Sequence, residues 1–349
     1  MFEVLWPMIR WQDDHEPELH GLGGDDMNAH FIKHPSEISD ELWARCDALV
    51  GPQIPAEYMQ RLENCRIYVK PAVGFDEVDL QAWGDLGIPV CNTPNYGTRE
   101  VADHAMALML TLTKSIAFHN EQLRASPVQN WRPALNPFGQ RMANCTAGIV
   151  GLGRIGTAAA LRLKAFDMDV VFFDPYKPNG ADIALGIRRA DSLEELFAQS
   201  DIVTLHTPLN SETHNLISTD ALAAAKPGLI LINTARGPVV DIDALYDALK
   251  RDQVLAAGLD VLPEEPANTN KKLIKAWHED EAWLQHRLII TPHSAFFTPQ
   301  SMHDIRSFSA ATAAKYLRTN RLDNCVNEPF LTFRRDPRRT DTARPHLVQ

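Results

Sequence analysis

The segment 146–176 constrains the fold of this chain more than any other. It reads TAGIVGLGRIGTAAALRLKAFDMDVVFFDPY, in which a short apolar run precedes Gly151, Gly153 and Gly156 in G-x-G-x-x-G spacing. An Ala/Leu-rich stretch with helical spacing comes next, and a second β-rich run ends at Asp174. A lone glycine pattern is weak, but strand, glycines, helix, strand and terminal acid together are a strong signal. The segment therefore predicts a βαβ unit that binds a dinucleotide.

Each part of this motif has its own physical role. Gly151 permits a tight turn, Gly153 lets the backbone approach a pyrophosphate, and Gly156 lets helix and strand pack closely. The helix that begins near Arg154 offers free N–H groups and the positive end of its dipole to the phosphates. Asp174 lies 174 − 151 = 23 residues after the first glycine, about where a carboxylate would bind the ribose hydroxyls. A 2′-phosphate would meet that negative charge, so the sequence favours NADH over NADPH. A helix-packing glycine motif is the alternative.

The pattern after this motif alternates between strands and helices. Strand-like runs occupy 201–207, 229–235, 256–262 and 287–293, and helix-like segments occupy 192–199, 218–226 and 241–252. Short apolar strands that alternate with amphipathic helices predict an α/β fold with a doubly wound parallel sheet. Ligands bind such sheets in the crevice outside the carboxyl ends of the strands.

Three chemically different side chains follow successive strand-like runs. Arg236 follows LILINTA, Glu265 follows GLDVL after a short turn, and His293 follows LIITP. A cation, a carboxylate and an imidazole are therefore expected at one rim of the sheet. This convergence distinguishes His293 among the 13 histidines of the chain, since histidine serves packing and catalysis alike. The alternatives are that Arg236 is a structural arginine and that Glu265 is a surface acid beside Glu264.

Composition excludes several functional classes. The length of 349 residues suggests about two domains, and the net charge of −11 argues against non-specific binding to nucleic acid or anionic membranes. The longest lipid-like stretch, 105–113, is too short for a bilayer span. Five scattered cysteines form no C-x-x-C pair, and the start lacks a secretory signal, so we expect a cytoplasmic protein.

Two charged segments have no assigned function. The stretch 12–26, rich in Asp, Glu and His, is predicted to be a solvated acidic loop rather than a metal site, because no recognised ligand spacing is present. The tail 333–349 has five arginines against two aspartates. We expect it to be a solvated terminus rather than a nucleic-acid arm.

Several motifs resemble those of the D-isomer-specific 2-hydroxyacid dehydrogenases. They are GLGRIG, HTPLNSETHNLI, INTARGPVVD, AAGLDVLPEEP and TPHSA. The 265 − 236 = 29 residue separation of Arg236 and Glu265 is similar to that family, and 73–110 resembles its substrate-domain and crossover segment. The resemblance extends from about residue 45 to 330. GFD, GDLGI and the late NCVN are most similar to the C-terminal-binding protein branch, which includes nuclear corepressors and bacterial enzymes.

The resemblance implies hydride exchange between NADH and a 2-keto acid. Arg236 would bind the substrate carboxylate, and His293, held protonated by Glu265, would donate a proton to the keto oxygen. Backbone amides at Val73 and Gly74 would hold the other carboxylate oxygen. Independently of the resemblance, the rings of Phe296 and Phe297 could pack on an apolar or aromatic substrate side chain, and the alternative is that both belong to the core. No metal is expected, and the resemblance assigns the cofactor to Gly151, Leu152, Gly153, Arg154, Ile155, Gly156, Asp174, His206, Thr207, Pro208, Thr213, Thr234, Ala235, Arg236, Asp260 and His293.

The resemblance also implies the domain organisation. Residues 99–298 would form a Rossmann NAD-binding domain. Residues 1–98 and 299–349 would form a smaller flavodoxin-like α/β substrate domain, and closure of the cleft would accompany catalysis. A homodimer formed through the NAD domains is expected.

Departures from the family pattern leave other functions open. Lys70, Pro71 and Ala72 stand where the family's substrate loop usually reads Arg-x-Gly. The corepressors carry a tryptophan where this chain has Phe296, and the segment 266–287 is predicted to form a helical flap. The alternatives are an NAD(H)-sensing dimeric scaffold similar to the corepressors, and a dehydrogenase of a small oxyanion such as phosphite.

Overall fold

A computed structural model of the chain describes residues 1–9, 11, 13–133 and 139–335. Contacts between residues divide the chain into two compact units. The first unit comprises Met1–Gly97 and Thr298–Gln349, and the second unit is the continuous segment Thr98–Phe297.

The first unit is built on a sheet of five parallel strands. The strands are β1 (Phe2–Trp6), β2 (Met27–Phe31), β3 (Ala48–Val50), β4 (Ile67–Lys70) and β5 (Val90–Asn92). Their order in the sheet is β2-β1-β3-β4-β5, the flavodoxin-like order of a doubly wound fold. Its helices are α1 (Glu16–Leu22), α2 (Asp40–Arg45), α3 (Ala56–Met59), α4 (Leu80–Asp85) and α13 (Pro299–Thr319).

The second unit is built on a sheet of seven parallel strands. They are β6 (Thr146–Val150), β7 (Asp169–Phe173), β8 (Arg188–Arg189), β9 (Ile202–Leu205), β10 (Leu229–Asn233), β11 (Val254–Leu259) and β12 (Leu288–Ile290). The helices are α5 (Thr98–Thr113), α6 (Ile116–Ala125), α7 (Arg154–Ala165), α8 (Ala181–Leu185), α9 (Leu193–Gln199), α10 (Thr219–Ala223), α11 (Ile242–Lys250) and α12 (Lys272–His278). The sheet order β12-β11-β10-β9-β6-β7-β8 is the Rossmann order with one further strand, which confirms the predicted fold class.

The central strands are largely apolar because helices cover both faces of the sheet. In β10, Leu229 and Leu231 join one hydrophobic core, whereas Ile230 and Ile232 join the core on the opposite face. All four side chains are at most 1% exposed. This period of two on a continuously buried strand is typical of parallel sheets.

The strand order reverses between β6 and β9, which are neighbours in the sheet. Val150 pairs with Leu205 at the carboxyl ends of these two strands. A reversal of this kind leaves a crevice just beyond the strand ends, where open α/β sheets bind their ligands. The fold therefore places the glycine motif and the segment after β9 beside each other.

Two sequence predictions were wrong. The acidic stretch is not simply a solvated loop, since it contains α1. Its Glu18 is 3% exposed, and both carboxylate oxygens accept hydrogen bonds from Arg306 at 2.7 Å. The predicted helical flap contains only the seven residues of α12, and Leu273 and Ile274 are buried in the core of the second unit. Residues 336–349 of the arginine-rich tail lie outside the described residues.

Candidate active site

The glycine loop begins at the carboxyl end of β6. Gly151 has a φ of 90°, and a Cβ on it would lie 2.8 Å from the carbonyl oxygen of His206. A Cβ on Gly156 would overlap the carbonyl oxygen of Gly151, so α7 can pack here only without a side chain at residue 156. By contrast, no described atom lies within 4 Å of a Cβ built on Gly153, the N-cap of α7. The loop is therefore tight where it packs and open at the helix N-terminus, the kind of position that suits a phosphate.

Asp174, immediately after β7, faces this loop. Its Oδ2 accepts a hydrogen bond from Leu152 N at 2.9 Å, and its Oδ1 accepts one from Tyr176 N at 3.0 Å. Each oxygen of a carboxylate can accept about two hydrogen bonds, so each retains capacity for a ligand hydroxyl. Asp174 thus ties the glycine loop to β7 and places a negative charge beside it.

Three buried polar atoms lie after the carboxyl ends of β9 and β10. Within the part of the chain that the structure describes, His206 Nδ1, Thr207 Oγ1 and Thr234 Oγ1 have no hydrogen-bond partner. Buried polar atoms are almost always paired, so a ligand or an ordered water would complete the hydrogen bonds of these three. The other ring nitrogen of His206 lies 3.0 Å from Thr204 Oγ1, and burial lowers the pKa of His206 to about 4. Its ring is therefore neutral at pH 7.

These features fit a dinucleotide. The open face of Gly153 suits the pyrophosphate, Asp174 suits a ribose, and the three unpaired polar atoms can bond to polar groups farther along the ligand. For some of the other residues assigned to the cofactor, the side chain is not available to a ligand. The side chains of Leu152 and Ala235 belong to the hydrophobic cores, so only their backbone atoms are available to a ligand.

Four further assigned residues lie at the start of α7 or in the loop after β9. Arg154 is exposed at the first position of α7, and Ile155 follows it, partly buried against the core. Thr213 Oγ1 donates to the carbonyl of Pro208 at 2.7 Å and accepts from Asn210 N at 2.9 Å. The Thr213 side chain therefore closes the loop after β9.

The three side chains predicted at one rim follow adjacent strands. Arg236 follows β10, Glu265 follows β11 and His293 follows β12, and these strands are neighbours in the sheet. His293 Nδ1 lies 2.8 Å from Glu265 Oε2, while Glu264 accepts a hydrogen bond from Asn268 instead. The other oxygen, Glu265 Oε1, accepts from Leu262 N at 3.0 Å. The carboxylate therefore has a fixed orientation and in turn orients the imidazole.

The loop of Arg236 is held by its neighbours in sequence and in space. Asn233 at the end of β10 accepts from Ala235 N at 3.0 Å and donates to the Arg236 carbonyl at 2.9 Å. A Cβ on Gly237 would overlap the backbone of Leu262, so this loop lies directly against the turn that carries Glu265. Arg236 itself donates from Nη1 to the Ala235 carbonyl at 2.8 Å.

The carboxylate of Asp260, 1% exposed, holds the loop that carries His293. It accepts from Thr291 Oγ1 at 2.6 Å and from the backbone N–H groups of Ser294 and Ala295, both at 2.9 Å. Its carbonyl accepts from His293 N at 2.8 Å, and His293 adopts a left-handed φ of 51°. This network maintains a backbone conformation that residues other than glycine rarely adopt.

Sequence reasoning missed two contributors to this rim. Asn233 looked like the last residue of an apolar strand, and His104 like one polar position of the amphipathic α5. His104 Nε2 lies 3.0 Å from Thr291 Oγ1 and 3.5 Å from Asp260 Oδ1. His104 follows Arg99, Glu100 and Asp103 in the first half of α5, so the sequence carries no signal that singles it out.

The predicted substrate residues fall in both units. Phe296 belongs to the second unit, where its ring meets the His293 ring edge-on with centroids 6.2 Å apart. Val73 and Gly74 follow β4 in the first unit, and the Val73 carbonyl accepts from Asn92 Nδ2 at 2.7 Å. Lys70, at the end of β4, forms an ion pair with Glu77.

The described ranges contain neither a metal-type cluster nor a membrane-spanning helix. Across residues 1–9, 11, 13–133 and 139–335, no three His, Cys, Asp or Glu side chains cluster as a metal site. Over the same residues, no helix combines the length and apolar character needed to cross a membrane.

Comparison with known proteins gives consistent matches. Residues 106–295 match the family described as D-isomer specific 2-hydroxyacid dehydrogenase, NAD binding domain. The glyoxylate reductase of Korarchaeum cryptofilum is 35% identical over 278 residues, which cover 78% of this chain and 79% of that protein. The structure of D-lactate dehydrogenase from Aquifex aeolicus, in complex with NAD and lactic acid, has a TM-score of 0.74 and 27% identity, covering 90% of this chain and 95% of that one. An NADPH-dependent glyoxylate/hydroxypyruvate reductase from Sinorhizobium meliloti has a TM-score of 0.80 and 25% identity, covering 96% and 100%.

Proposed function

Because the chain belongs to the family of D-isomer-specific 2-hydroxyacid dehydrogenases, we propose that it reduces a 2-keto acid with NADH. The observation that carries this proposal is the 2.8 Å contact between His293 Nδ1 and Glu265 Oε2, on loops that follow neighbouring strands. An imidazole oriented by a carboxylate at a strand end is suited to proton transfer rather than to packing. Arg236, after the next strand of the sheet, supplies a cation for an acidic substrate.

Arg236 binds the substrate carboxylate. Its planar guanidinium presents paired N–H donors that match the two oxygens of a carboxylate, and its charge polarises the adjacent keto oxygen. When bound, NADH supplies the hydride that reduces the keto carbon. The bonds from Asn233 to Ala235 N and to the Arg236 carbonyl fix the backbone of the loop that carries this guanidinium.

His293 donates a proton to the keto oxygen. Glu265 engages Nδ1, which leaves Nε2 as the nitrogen that donates the proton in reduction and accepts it in the reverse direction. Glu265 therefore acts as a positioning residue. Asp260 has a similar role for the backbone, since it bonds to Thr291, Ser294 and Ala295 on the same loop.

The cofactor residues favour NADH. Asp174 sets a carboxylate beside the glycine loop, where it would accept hydrogen bonds from ribose hydroxyls and repel a 2′-phosphate. The relatives are divided on this point, because one solved structure contains NAD and another belongs to an NADPH-dependent enzyme. The preference for NADH in this chain therefore rests on Asp174.

For the substrate, we propose a 2-keto acid with an apolar side chain. Backbone amides at Val73 and Gly74 would bind the second carboxylate oxygen, and the ring of Phe296 beside His293 offers an apolar surface. We further propose a homodimer, as the family resemblance implies. All five cysteines are free thiols, which supports a reducing compartment such as the cytoplasm.

The experiment that tests this function follows NADH oxidation by absorbance with 2-keto acids from glyoxylate to phenylpyruvate. We expect turnover that depends on side-chain size. His293→Ala should lose roughly 10²- to 10⁴-fold in kcat, the usual contribution of a general acid, while NADH still binds. His278→Ala, which removes an exposed histidine of the same unit, is the matched control and should change neither quantity.

Other outcomes identify the alternatives. Tight NADH binding without turnover on any acid would favour an NAD(H)-sensing scaffold, and NAD reduction by phosphite would indicate an oxyanion dehydrogenase. Full turnover in His293→Ala would contradict the assignment of the general acid.

A further inference from the structure

Two cysteines of the first unit face each other across a short antiparallel pairing. Cys91 in β5 forms a bridge with Cys325, which lies beyond α13. On each side, the N–H of the residue after one cysteine donates to the carbonyl of the residue before the other, at 3.2 and 2.8 Å. This arrangement makes the cysteines a non-hydrogen-bonded pair, in which Cα atoms are about 4.5 Å apart. Disulfides form at Cα separations of about 4.4–6.8 Å, so the backbone needs little movement to accept one.

We propose that Cys91 and Cys325 form a reversible dithiol–disulfide site that hydrogen peroxide oxidises. The Cys325 thiolate attacks one peroxide oxygen, the O–O bond breaks, and the products are a sulfenic acid and hydroxide, which takes up a proton to become water. The Cys91 sulfur then attacks the Cys325 sulfur and displaces the sulfenic oxygen as a second water. The two thiols lose two electrons and two protons in total, and one peroxide is reduced to two waters.

The two thiols differ in ways that assign these roles. Cys325 is partly exposed, whereas Cys91 is fully buried. The hydrogen bond from Cys91 lowers the pKa of the Cys325 thiol to about 7, and the same hydrogen bond together with burial raises the pKa of Cys91. A partly exposed thiolate is the reactive form of cysteine, so Cys325 meets the oxidant and Cys91 resolves the intermediate.

Buried contacts keep the two thiols opposed. Asn327, 0% exposed, accepts from Val90 N at 2.8 Å and donates to the Ile88 carbonyl at 3.0 Å, so the segment that carries Cys325 is fixed to β5. The residue next to Cys91 is Asn92, whose side chain donates to the Val73 carbonyl. This hydrogen bond connects β5 to the Val73 loop, so we expect the disulfide to shift that loop.

A second pair provides an internal control. The side chains of Cys46 and Cys65 are also hydrogen-bonded to each other, but both residues are 0% exposed. Proximity is common to both pairs, and access to an oxidant differs. Peroxide should therefore oxidise the first pair and leave the second reduced in the folded protein.

The test treats the full-length protein with hydrogen peroxide at pH 7, quenches it, and then counts thiols under denaturing conditions. The count should fall by two, from five to three, and peptide mapping should find Cys91 joined to Cys325. Dithiothreitol should restore all five. Cys325→Ser should lose no thiols, whereas Cys46→Ser should still form the cross-link.

Three outcomes would overturn the proposal: no cross-link in the wild type, two thiols lost in Cys325→Ser, or sulfinic acid at Cys325 without a cross-link to Cys91. Cys325→Ser changes a partly exposed residue, so folding should be preserved, and Cys91→Ala serves as a second variant that removes only the resolving thiol. That variant should accumulate oxidised Cys325 and no disulfide.

A kinetic prediction for the oxidised protein rests on the proposed reductase function. Oxidation should raise the KM for the keto acid severalfold, through the Val73 loop, and leave the Kd for NADH unchanged. If the cross-link formed without a change in KM, the proposed effect on the substrate loop would be contradicted, and the proposal of a redox site would stand. A protein with no turnover at all would refute the proposed reductase, while the thiol count would still decide the redox site.

Discussion

The carboxylate of Asp174 has two tasks that substitution can separate. It accepts the Leu152 N–H, which holds the glycine loop, and it places a negative charge where the ribose would bind. Asp174→Ala removes both, whereas Asp174→Asn keeps an acceptor oxygen and removes only the charge.

We expect both Asp174 variants to improve kcat/KM with NADPH relative to NADH by at least about tenfold, since a difference of roughly 1.4 kcal/mol between the cofactors suffices for that change. Only Asp174→Ala should also weaken binding of both cofactors. The measurement is steady-state kinetics with each cofactor at saturating keto acid. An unchanged ratio in both variants would mean that another group recognises the ribose.

Burial of His206 predicts a pH dependence of stability. Its folded pKa of about 4 lies below the ordinary value of 6.5, so the unfolded chain binds a proton more readily. The resulting stabilisation is complete above about pH 6.5, falls between pH 6.5 and 4, and is lost below that range. At about 1.4 kcal/mol per pKa unit, the folded state should lose roughly 2 kcal/mol between pH 7.5 and 5 from this residue alone.

Urea unfolding of wild type and His206→Gln at several pH values isolates this contribution. Glutamine can still bond to Thr204, but it does not titrate. The free energy of unfolding of the variant should therefore vary less with pH than that of wild type. Parallel pH profiles for the two proteins would show that His206 is protonated as easily in the folded state as in the unfolded one.

At the scale of elements, the junction of β6 and α7 offers a matched pair of glycines. A methyl group on Gly156 would collide with the Gly151 carbonyl, whereas one on Gly153 would enter open space at the start of α7. Gly156→Ala should lower Tm by about 3–10 °C, because overpacking costs about 1–3 kcal/mol. Gly153→Ala should lower Tm by less than about 3 °C and yet raise the Kd for NADH at least about tenfold.

Calorimetry and NADH fluorescence titration measure these two effects separately. If both variants lost stability equally, the face of Gly153 would not be open as the structure has it. If Gly153→Ala bound NADH with wild-type affinity, the phosphate would lie elsewhere.

The elements that were predictable from sequence are those with a local signal. Six of the seven strands of the second unit are predicted from sequence because each lies in a short, largely apolar run. The exception is β8 (Arg188–Arg189), which has no apolar run, and the predicted run 201–207 extends beyond β9 (Ile202–Leu205). His206 and Thr207 are partly buried, although they lie beyond the carboxyl end of β9 and outside the strand. A sequence pattern that indicates burial does not show whether a hydrophobic core or a ligand site causes that burial.

Features that depend on distant partners could not be predicted. Glu18 and Arg306 are 288 residues apart, and His104 and Thr291 are 187 residues apart. Neither pair follows a helical or strand period, and a single sequence does not reveal which charges meet. The acidic stretch therefore looked solvated, and Cys91 and Cys325 looked like isolated thiols.

At the scale of the whole molecule, the two units differ in how the chain builds them. The second unit is one continuous segment, Thr98–Phe297, with hydrophobic cores on both faces of its sheet. The first unit is made of two segments separated by the second. A continuous segment with its own cores is the part of the chain that should fold alone.

We therefore expect residues 98–297, expressed alone, to unfold cooperatively and to bind NADH within about tenfold of the full-length affinity, since every residue proposed to hold the cofactor lies within it. The segment should not oxidise NADH with any 2-keto acid, because it lacks the Val73 and Gly74 amides that we assign to the substrate carboxylate. Circular dichroism, NADH titration and the keto acid assay measure the three properties.

The same segment with His293→Ala, which should bind NADH equally, is the control. Turnover by the isolated segment would show that Arg236 alone suffices to bind the substrate. Failure to bind NADH would show that the cofactor crevice depends on the first unit.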